Sequence, residues 1–209
     1  GTFTDIVAKN PNGLIKTSKL LSENPEHYDD AALEGIRSFL GLDGTEEIPS
    51  NKLNSIKMGT TVATNALLER KGEKTLLLIN KGLKDLLKVG YQSRPKLFDL
   101  EIKKQVAIYD EVIEIPGRLD SRGQEVNKLD ANLAKEALSK KFKEGYRSLA
   151  VAFMHSYLNS SHEKKIEKIA KKIGFLQIST SSGVSKLIKL VSRGDTAVVD
   201  AYLSPILRR

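Results

Sequence analysis

Residues 56–72 read Ile56-Lys-Met-Gly-Thr-Thr-Val-Ala-Thr-Asn-Ala-Leu-Leu-Glu-Arg-Lys-Gly72, and the rest of the chain is organised around them. A short apolar run ends at Met58. Gly59 then frees the backbone to turn, and two hydroxyl residues, Thr60 and Thr61, stand where a helix should begin. Val62, Ala66 and Leu67 recur at helical spacing, and Gly72 supplies a stop signal. The spacing predicts strand, glycine turn and helix N-terminus. Free N–H groups and the positive end of a helix dipole at such a place favour a phosphate or a carboxylate, and the two hydroxyls add donors. The same residues also read as an ordinary N-cap on a packed helix.

Upstream, Gly1-Thr-Phe-Thr-Asp5 opens a predicted strand over residues 4–8, followed by a turn at 9–13 and a second strand at 14–20. A hairpin whose first strand begins Gly1-Thr2 is a second candidate phosphate element, because glycine lets the backbone approach an anion and Thr2 and Thr4 offer hydroxyls. It reads equally as a plain terminal hairpin. A domain rarely starts in mid-turn, so a strand is expected to precede Gly1. Residues 25–40 read as a helix with Pro25 near its start. Downstream, residues 75–79 and 148–154 are apolar runs of the kind found in central parallel strands. Helices are expected over residues 82–87, from Asp130 to about Glu144, from Ser160 or Ser161 to Gly174, and from Val191 until Pro205 breaks the last one. Strands are expected at 112–115 and 176–180, and a hairpin arm at 118–126. Residues 89–104 have little periodicity, and a long irregular loop tends to be functional or mobile. Strands alternating with helices argue α/β layering, and the early hairpin adds antiparallel strands. The expected fold is α/β, a mixed sheet with flanking helices.

The 209 residues carry 34 Lys and Arg against 26 Asp and Glu, a formal net charge of +8. The excess is spread along helix faces such as residues 163–172, where acids alternate with bases, which is the pattern of a solvated face. Aromatic residues do not interleave with the basic clusters as a single-strand binder requires. Nucleic acid is therefore not an expected partner. No apolar run approaches the roughly 20 residues of a membrane helix, and the first residues do not have the form of a signal peptide. The chain contains no cysteine, so disulfides, thiolate metal sites and cysteine nucleophiles are excluded, and a cytoplasmic setting fits.

Two segments decide the function. Gly1-Thr-Phe-Thr-Asp5 and Met58-Gly-Thr-Thr-Val-Ala-Thr-Asn-Ala-Leu-Leu-Glu-Arg-Lys-Gly72 closely resemble the hydantoinase A/5-oxoprolinase family. The likeness continues through Gly82-Leu-Lys-Asp-Leu-Leu87, Arg94 with Leu97-Phe-Asp-Leu100, Val151-Ala-Phe-Met-His-Ser-Tyr157, Ser192-Arg-Gly-Asp-Thr196 and Ala201-Tyr-Leu-Ser-Pro205. Ser93-Arg94 and residues 97–100 resemble the eukaryotic-type 5-oxoprolinases more than the bacterial hydantoinase A subunits.

The resemblance implies ATP-dependent opening of a cyclic amide, with 5-oxo-L-proline, ATP and water giving L-glutamate, ADP and phosphate. It implies ATP, Mg²⁺ and a monovalent cation such as K⁺ as cofactors, a homodimer, and the N-terminal part of an actin/Hsp70/sugar-kinase-like ATPase domain. Gly1, Thr2, Phe3 and Thr4 would form the first phosphate-binding turn. Gly59, Thr60 and Thr61, with Asn65 one turn further in, would form the second. Asp5 would orient the first turn or serve the strand. Arg94 and Asp99 are further candidates on a loop facing substrate, and Arg193 and Asp195 are weaker ones that would otherwise solvate the last helix. His155 is expected to make a structural hydrogen bond ahead of general-base work.

No metal ligand is assigned: the acidic residue that the family motif places just upstream of the glycines, to hold hydrated Mg²⁺, is not in this sequence. The expected organisation is an oxoprolinase N-terminal domain over residues 1–180 and the start of the following domain at 181–209, within a longer enzyme whose fragment is inactive alone. The competing readings are a hydantoinase or carboxylase subunit of the same family and a non-catalytic nucleotide-binding domain.

Overall fold

The computed structural model describes residues 2–44, 46–92, 98 and 106–208, in two compact units, residues 1–65 and 66–209.

In the first unit, β1 (Phe3–Lys9) pairs antiparallel with β2 (Ile15–Leu21), from Phe3 opposite Leu21 to Lys9 opposite Ile15. The turn is fixed by side-chain chemistry: Asn10 accepts from the Leu14 N–H through Oδ1 at 2.9 Å, and Gly13 takes φ +83°, where a side chain would be strained. Alternation then sorts the two faces. Thr4, Ile6 and Ala8 are half-buried, whereas Phe3, Asp5, Val7 and Lys9 are exposed. Ile6 and Leu20 pack on Gly35 of α1 (Ala31–Leu40), where a Cβ would lie 1.8 Å from Ile6 Cδ1. The helix begins at Ala31 and not at Pro25, because the Asp30 carboxylate accepts from the N–H groups of Ala32 and Leu33 at 2.7 and 3.0 Å and so caps it there. Residues 24–28 form a separate turn in which His27 and Tyr28 donate to the Asn24 carbonyl.

The expected strand before Gly59 does not form. Residues 53–61 are irregular, and Ile56 and Met58 are exposed with no neighbouring strand to pair with among the described residues. Helix α2 (Val62–Leu68) follows and stops earlier than expected. Arg70, at φ +55°, makes the left-handed turn that ends it. Gly72 serves packing instead: a Cβ there would fall 2.0 Å from the Tyr202 ring.

The second unit is a three-layer α/β sandwich. Four parallel strands, β3 (Thr75–Asn80), β4 (Glu111–Ile115), β7 (Ser148–Ala152) and β8 (Gln177–Thr180), lie in the order β4-β3-β7-β8. Every residue of β3 and β7 is buried, as a parallel strand covered on both faces requires. On one face, Leu76, Leu78, Leu149 and Val151 pack with Ala134 and Leu138 of α4 (Ala131–Lys143) and Ile166 and Ala170 of α5 (Ser161–Ile173). On the other, Leu77, Ala150 and Ala152 pack with Ala197, Val198 and Ala201 of α7 (Leu190–Leu207). The α/β class with flanking helices is as expected, with the antiparallel and parallel strands in separate sheets.

The smaller elements complete this unit. The expected helix after Gly82 shortens to α3 (Leu86–Val89), and residues 118–126 become a hairpin of their own, β5 (Arg118–Leu119) with β6 (Glu125–Asn127). A short α6 (Ser181–Val184) follows β8. Pro205 does not break the last helix, which runs on to Leu207. A proline cannot donate to the carbonyl four residues back, and Ser148 Oγ takes that bond by donating to the Ala201 carbonyl. Among the described residues, no helix is long and apolar enough to cross a membrane.

Candidate functional site

The residues expected to face phosphate lie in the first unit. At the head of β1 the Thr2 carbonyl accepts from the Ser22 N–H at 3.0 Å, and the Thr4 hydroxyl shares a 3.0 Å hydrogen bond with the Ser22 hydroxyl. Phe3 is half-exposed beneath the Lys19 ammonium, which also meets Asp5 at 3.4 Å. Asp5 stands opposite Lys19 in the β ladder, so its charge serves a cross-strand ion pair on an exposed face. Gly1, Arg94 and Asp99 lie outside the described residues.

At the second element, Thr60 Oγ1 accepts from the Val62 N–H at 3.2 Å and the Thr61 carbonyl accepts from the Asn65 N–H at 2.8 Å. Thr60 therefore does what a helix cap does. Gly59 is different. Its φ is not in the left-handed region and a Cβ there would meet nothing within 4 Å. Neither conformation nor packing within this chain calls for glycine at position 59. No hydrogen bond joins Gly59, Thr60 or Thr61 to the hairpin among the described residues.

The second unit contains a polar constellation at the carboxyl ends of its parallel strands, which is where open α/β sheets hold their ligands. Asn80, at the end of β3, donates through Nδ2 to the Gly117 carbonyl at 2.6 Å and accepts from the Met154 N–H at 2.6 Å, tying together the segments that follow β4 and β7. Glu163, on α5 and fully buried, accepts four hydrogen bonds: from Phe153 N–H at 2.9 Å, Ser181 Oγ at 2.6 Å, Ser182 N–H at 2.9 Å and Ser182 Oγ at 2.6 Å. Sharing Ser181 with it is Arg193 of α7, also fully buried, which donates to Ser156 Oγ, to Ser181 Oγ at 2.6 Å and to the Phe153 carbonyl at 3.1 Å. Burial pushes its guanidinium down from the ordinary value, and the Glu163 carboxylate opposes that shift.

Of the two readings the sequence left for Arg193, a weak site candidate or a residue solvating the last helix, burial removes the second. The signal was in the periodicity of α7: Arg193 stands four and eight residues before Ala197 and Ala201, on the face that packs against the sheet. Asp195 is exposed, and with Asp85 it adds to the effect of burial in raising the Tyr109 phenol. His155 does not make the structural side-chain hydrogen bond expected of it. Its Nδ1 is buried without a partner, as is Arg193 Nε. Among the described residues, no group of three or more His, Cys, Asp or Glu comes together in a way that could hold a metal ion.

Comparison with known proteins agrees with the fold and the motifs. The family described as Hydantoinase/oxoprolinase N-terminal region matches residues 1–174. The chain is 42% identical to 5-oxoprolinase 1 of Arabidopsis thaliana, over all of this chain and 18% of that protein, and 43% identical to 5-oxoprolinase of Dictyostelium discoideum, over 99% and 19%. It thus spans about a fifth of the length of these relatives. Among solved structures, the ATP-dependent caprolactamase of Pseudomonas jessenii superposes with a TM-score of 0.80 at 27% identity, over all of this chain and 31% of that one, in keeping with the expected N-terminal part of an actin-like ATPase fold. Matched over residues 1–174 and across its whole length by eukaryotic 5-oxoprolinases, the chain belongs to the hydantoinase/oxoprolinase family as its N-terminal region.

Proposed function

We propose that the protein containing this chain is an ATP-dependent 5-oxoprolinase, opening 5-oxo-L-proline to L-glutamate at the cost of one ATP. The observation that carries this reading is identity of 42–43% over essentially the whole chain to 5-oxoprolinases. The likeness to an ATP-dependent caprolactamase, named for another cyclic amide, supports the reaction class.

A lactam carbonyl is a poor electrophile. Transfer of the γ-phosphoryl group to its oxygen makes that oxygen a leaving group, and the work left to the protein is positioning and charge stabilisation. On this reading Gly1, Thr2, Phe3 and Thr4 grip phosphate through backbone N–H groups and hydroxyls, and Gly59, Thr60, Thr61 and Asn65 form the second grip. The freedom around Gly59 supports that assignment, because a glycine without conformational or packing cause is understandable where a ligand closes on the backbone. Asp5, Arg94 and Asp99 remain our candidates for orienting the reacting groups. Asp5 alone does not make a divalent-cation cage, so Mg²⁺ would enter with the nucleotide phosphates. K⁺, a homodimer, a cytoplasmic location and a domain division at 180/181 belong to the same proposal.

The experiment is ATP hydrolysis by the full-length protein with and without 5-oxo-L-proline, in wild type and Thr60→Ala. Stimulation by 5-oxo-L-proline that collapses in the variant is the expected result. Stimulation that survives leaves Thr60 a helix cap. Stimulation by hydantoins or ketones in place of 5-oxo-L-proline would move the protein to another activity.

A further inference from the structure

Beyond β7 the chain turns through residues 153–158 under an unusual number of restraints. The Phe153 N–H donates to Glu163, the Phe153 carbonyl accepts from Ser156 Oγ and Arg193, and the Met154 N–H donates to Asn80. The His155 carbonyl accepts from the N–H groups of Leu158 and Asn159 at 3.0 and 3.2 Å. All of this fixes His155 at φ +60°, a left-handed conformation that costs a non-glycine residue energy and persists only where its surroundings impose it. A buried network of an arginine, a glutamate and three serines is far more than a connecting turn needs.

The ring that this turn presents is not used by the fold. Its Nδ1 is sealed from solvent with no partner, and its ring lies 6.2 Å from that of Tyr157. The Arg193 guanidinium, whose Nε is also sealed and unpartnered, lies 5.7 Å from the same Tyr157 ring. Among the described residues His155 Nε2 makes no hydrogen bond, and the side chain as a whole is half-buried, not sealed. With Nδ1 sealed, Nε2 is the ring nitrogen that a ligand can meet. Strain, an orphaned nitrogen and a second ring nitrogen left without a partner thus coincide at the carboxyl end of a parallel strand, where ligands bind.

We propose that His155 is a substrate-contacting residue, its Nε2–H donating to an oxygen of the bound small molecule beyond β7, while Glu163, Arg193, Ser156 and Ser181 position the turn that presents it. This rests on the ATP-dependent lactam reading. The oxygen belongs either to the carbonyl or carboxylate of the cyclic amide or to a phosphate of the nucleotide, and each is an acceptor of the same kind.

Two substitutions separate this role from a structural one. Asparagine tolerates the left-handed conformation but cannot reach the Nε2 position. Glutamine reaches it with a donor but suits the backbone less well. In the full-length protein, His155→Asn is expected to unfold at or above the wild-type temperature, yet to raise KM for either 5-oxo-L-proline or ATP by about tenfold, leaving the other within about twofold. Which of the two rises identifies the source of the oxygen. His155→Gln is expected to unfold earlier and to keep the lower KM. A purely structural histidine reverses that order, with function following stability in both variants, and this result overturns the proposal, as does an unchanged KM for both substrates in His155→Asn. Wild-type protein without 5-oxo-L-proline-dependent ATP cleavage overturns the lactam reading instead. Calorimetric titration with ATP then decides on the nucleotide: weaker binding to His155→Asn by about tenfold supports the contact, and equal binding overturns it.

Discussion

Arg193 and Glu163 carry opposite charges with no exposed surface, a placement that holds only while both are present. The two are joined through the Ser181 hydroxyl, and removing one leaves the other buried without a compensating charge, which is destabilising. Arg193→Met is therefore expected to open the carboxyl ends of β7 and β8, seen as faster hydrogen exchange of amides such as those of Phe153 and Ser182 in the full-length protein. Arg193→Met combined with Glu163→Gln is expected to restore part of the protection, because no buried charge is then left unpaired. Exchange unchanged in the single variant would remove the pair from the account of this turn. Gly59 poses the opposite case. Gly59→Ala, meeting no atom within 4 Å, is expected to leave the unfolding free energy within about 0.5 kcal/mol of wild type and to lower ATP-dependent turnover. An unaffected turnover would return residues 59–61 to helix capping.

Elements were legible in the sequence in proportion to how local their causes are. Asp130 at the start of α4 and the uninterrupted apolar runs of β3 and β7 announce themselves, since cap chemistry and two-sided burial are written within a few residues. The end of α2 and the persistence of α7 past Pro205 were not legible. The first rests on Arg70, a non-glycine residue, taking a left-handed conformation while Gly72 is reserved for packing under Tyr202, and the second on Ser148 reaching the Ala201 carbonyl, 53 positions away. The packing role of Gly72 can be tested: Gly72→Ala drives a methyl group into the Tyr202 ring and is expected to destabilise by about 1–3 kcal/mol, read as a lower thermal midpoint.

The β5–β6 hairpin gives a pH-dependent case. Glu125 accepts or shares a 2.6 Å hydrogen bond with His162 Nε2 at the start of α5, and that bond holds its carboxyl below the usual range. A carboxyl lowered on folding contributes stability above its unfolded value and loses it as pH falls through the folded one. The hairpin should therefore loosen as pH drops from about 5 towards 3. Glu125→Gln is expected to flatten that part of the curve of thermal midpoint against pH, and an identical curve would show that the bond contributes nothing.

At the scale of the whole molecule, the two units are unequally equipped to stand by themselves. The second has a four-stranded sheet covered on both faces. The first rests on a two-stranded hairpin and one ten-residue helix, and a two-stranded sheet is marginal in water without further packing. Its outward face exposes Phe3, Val7, Ile15 and Leu21, an apolar set left open among the described residues. The residues proposed to grip phosphate all lie on this weaker unit, in a chain about a fifth as long as the relatives it matches. Residues 1–209 produced alone are therefore expected to lose the first unit to limited proteolysis before the second, to bind ATP weakly and to show no 5-oxo-L-proline-dependent cleavage of it, while the full-length protein resists and turns over. Cleavage of ATP by the isolated piece at the full-length rate would mean that the hairpin and the Gly59 segment are organised without the rest of the polypeptide, and that the machinery for phosphoryl transfer is complete within these residues.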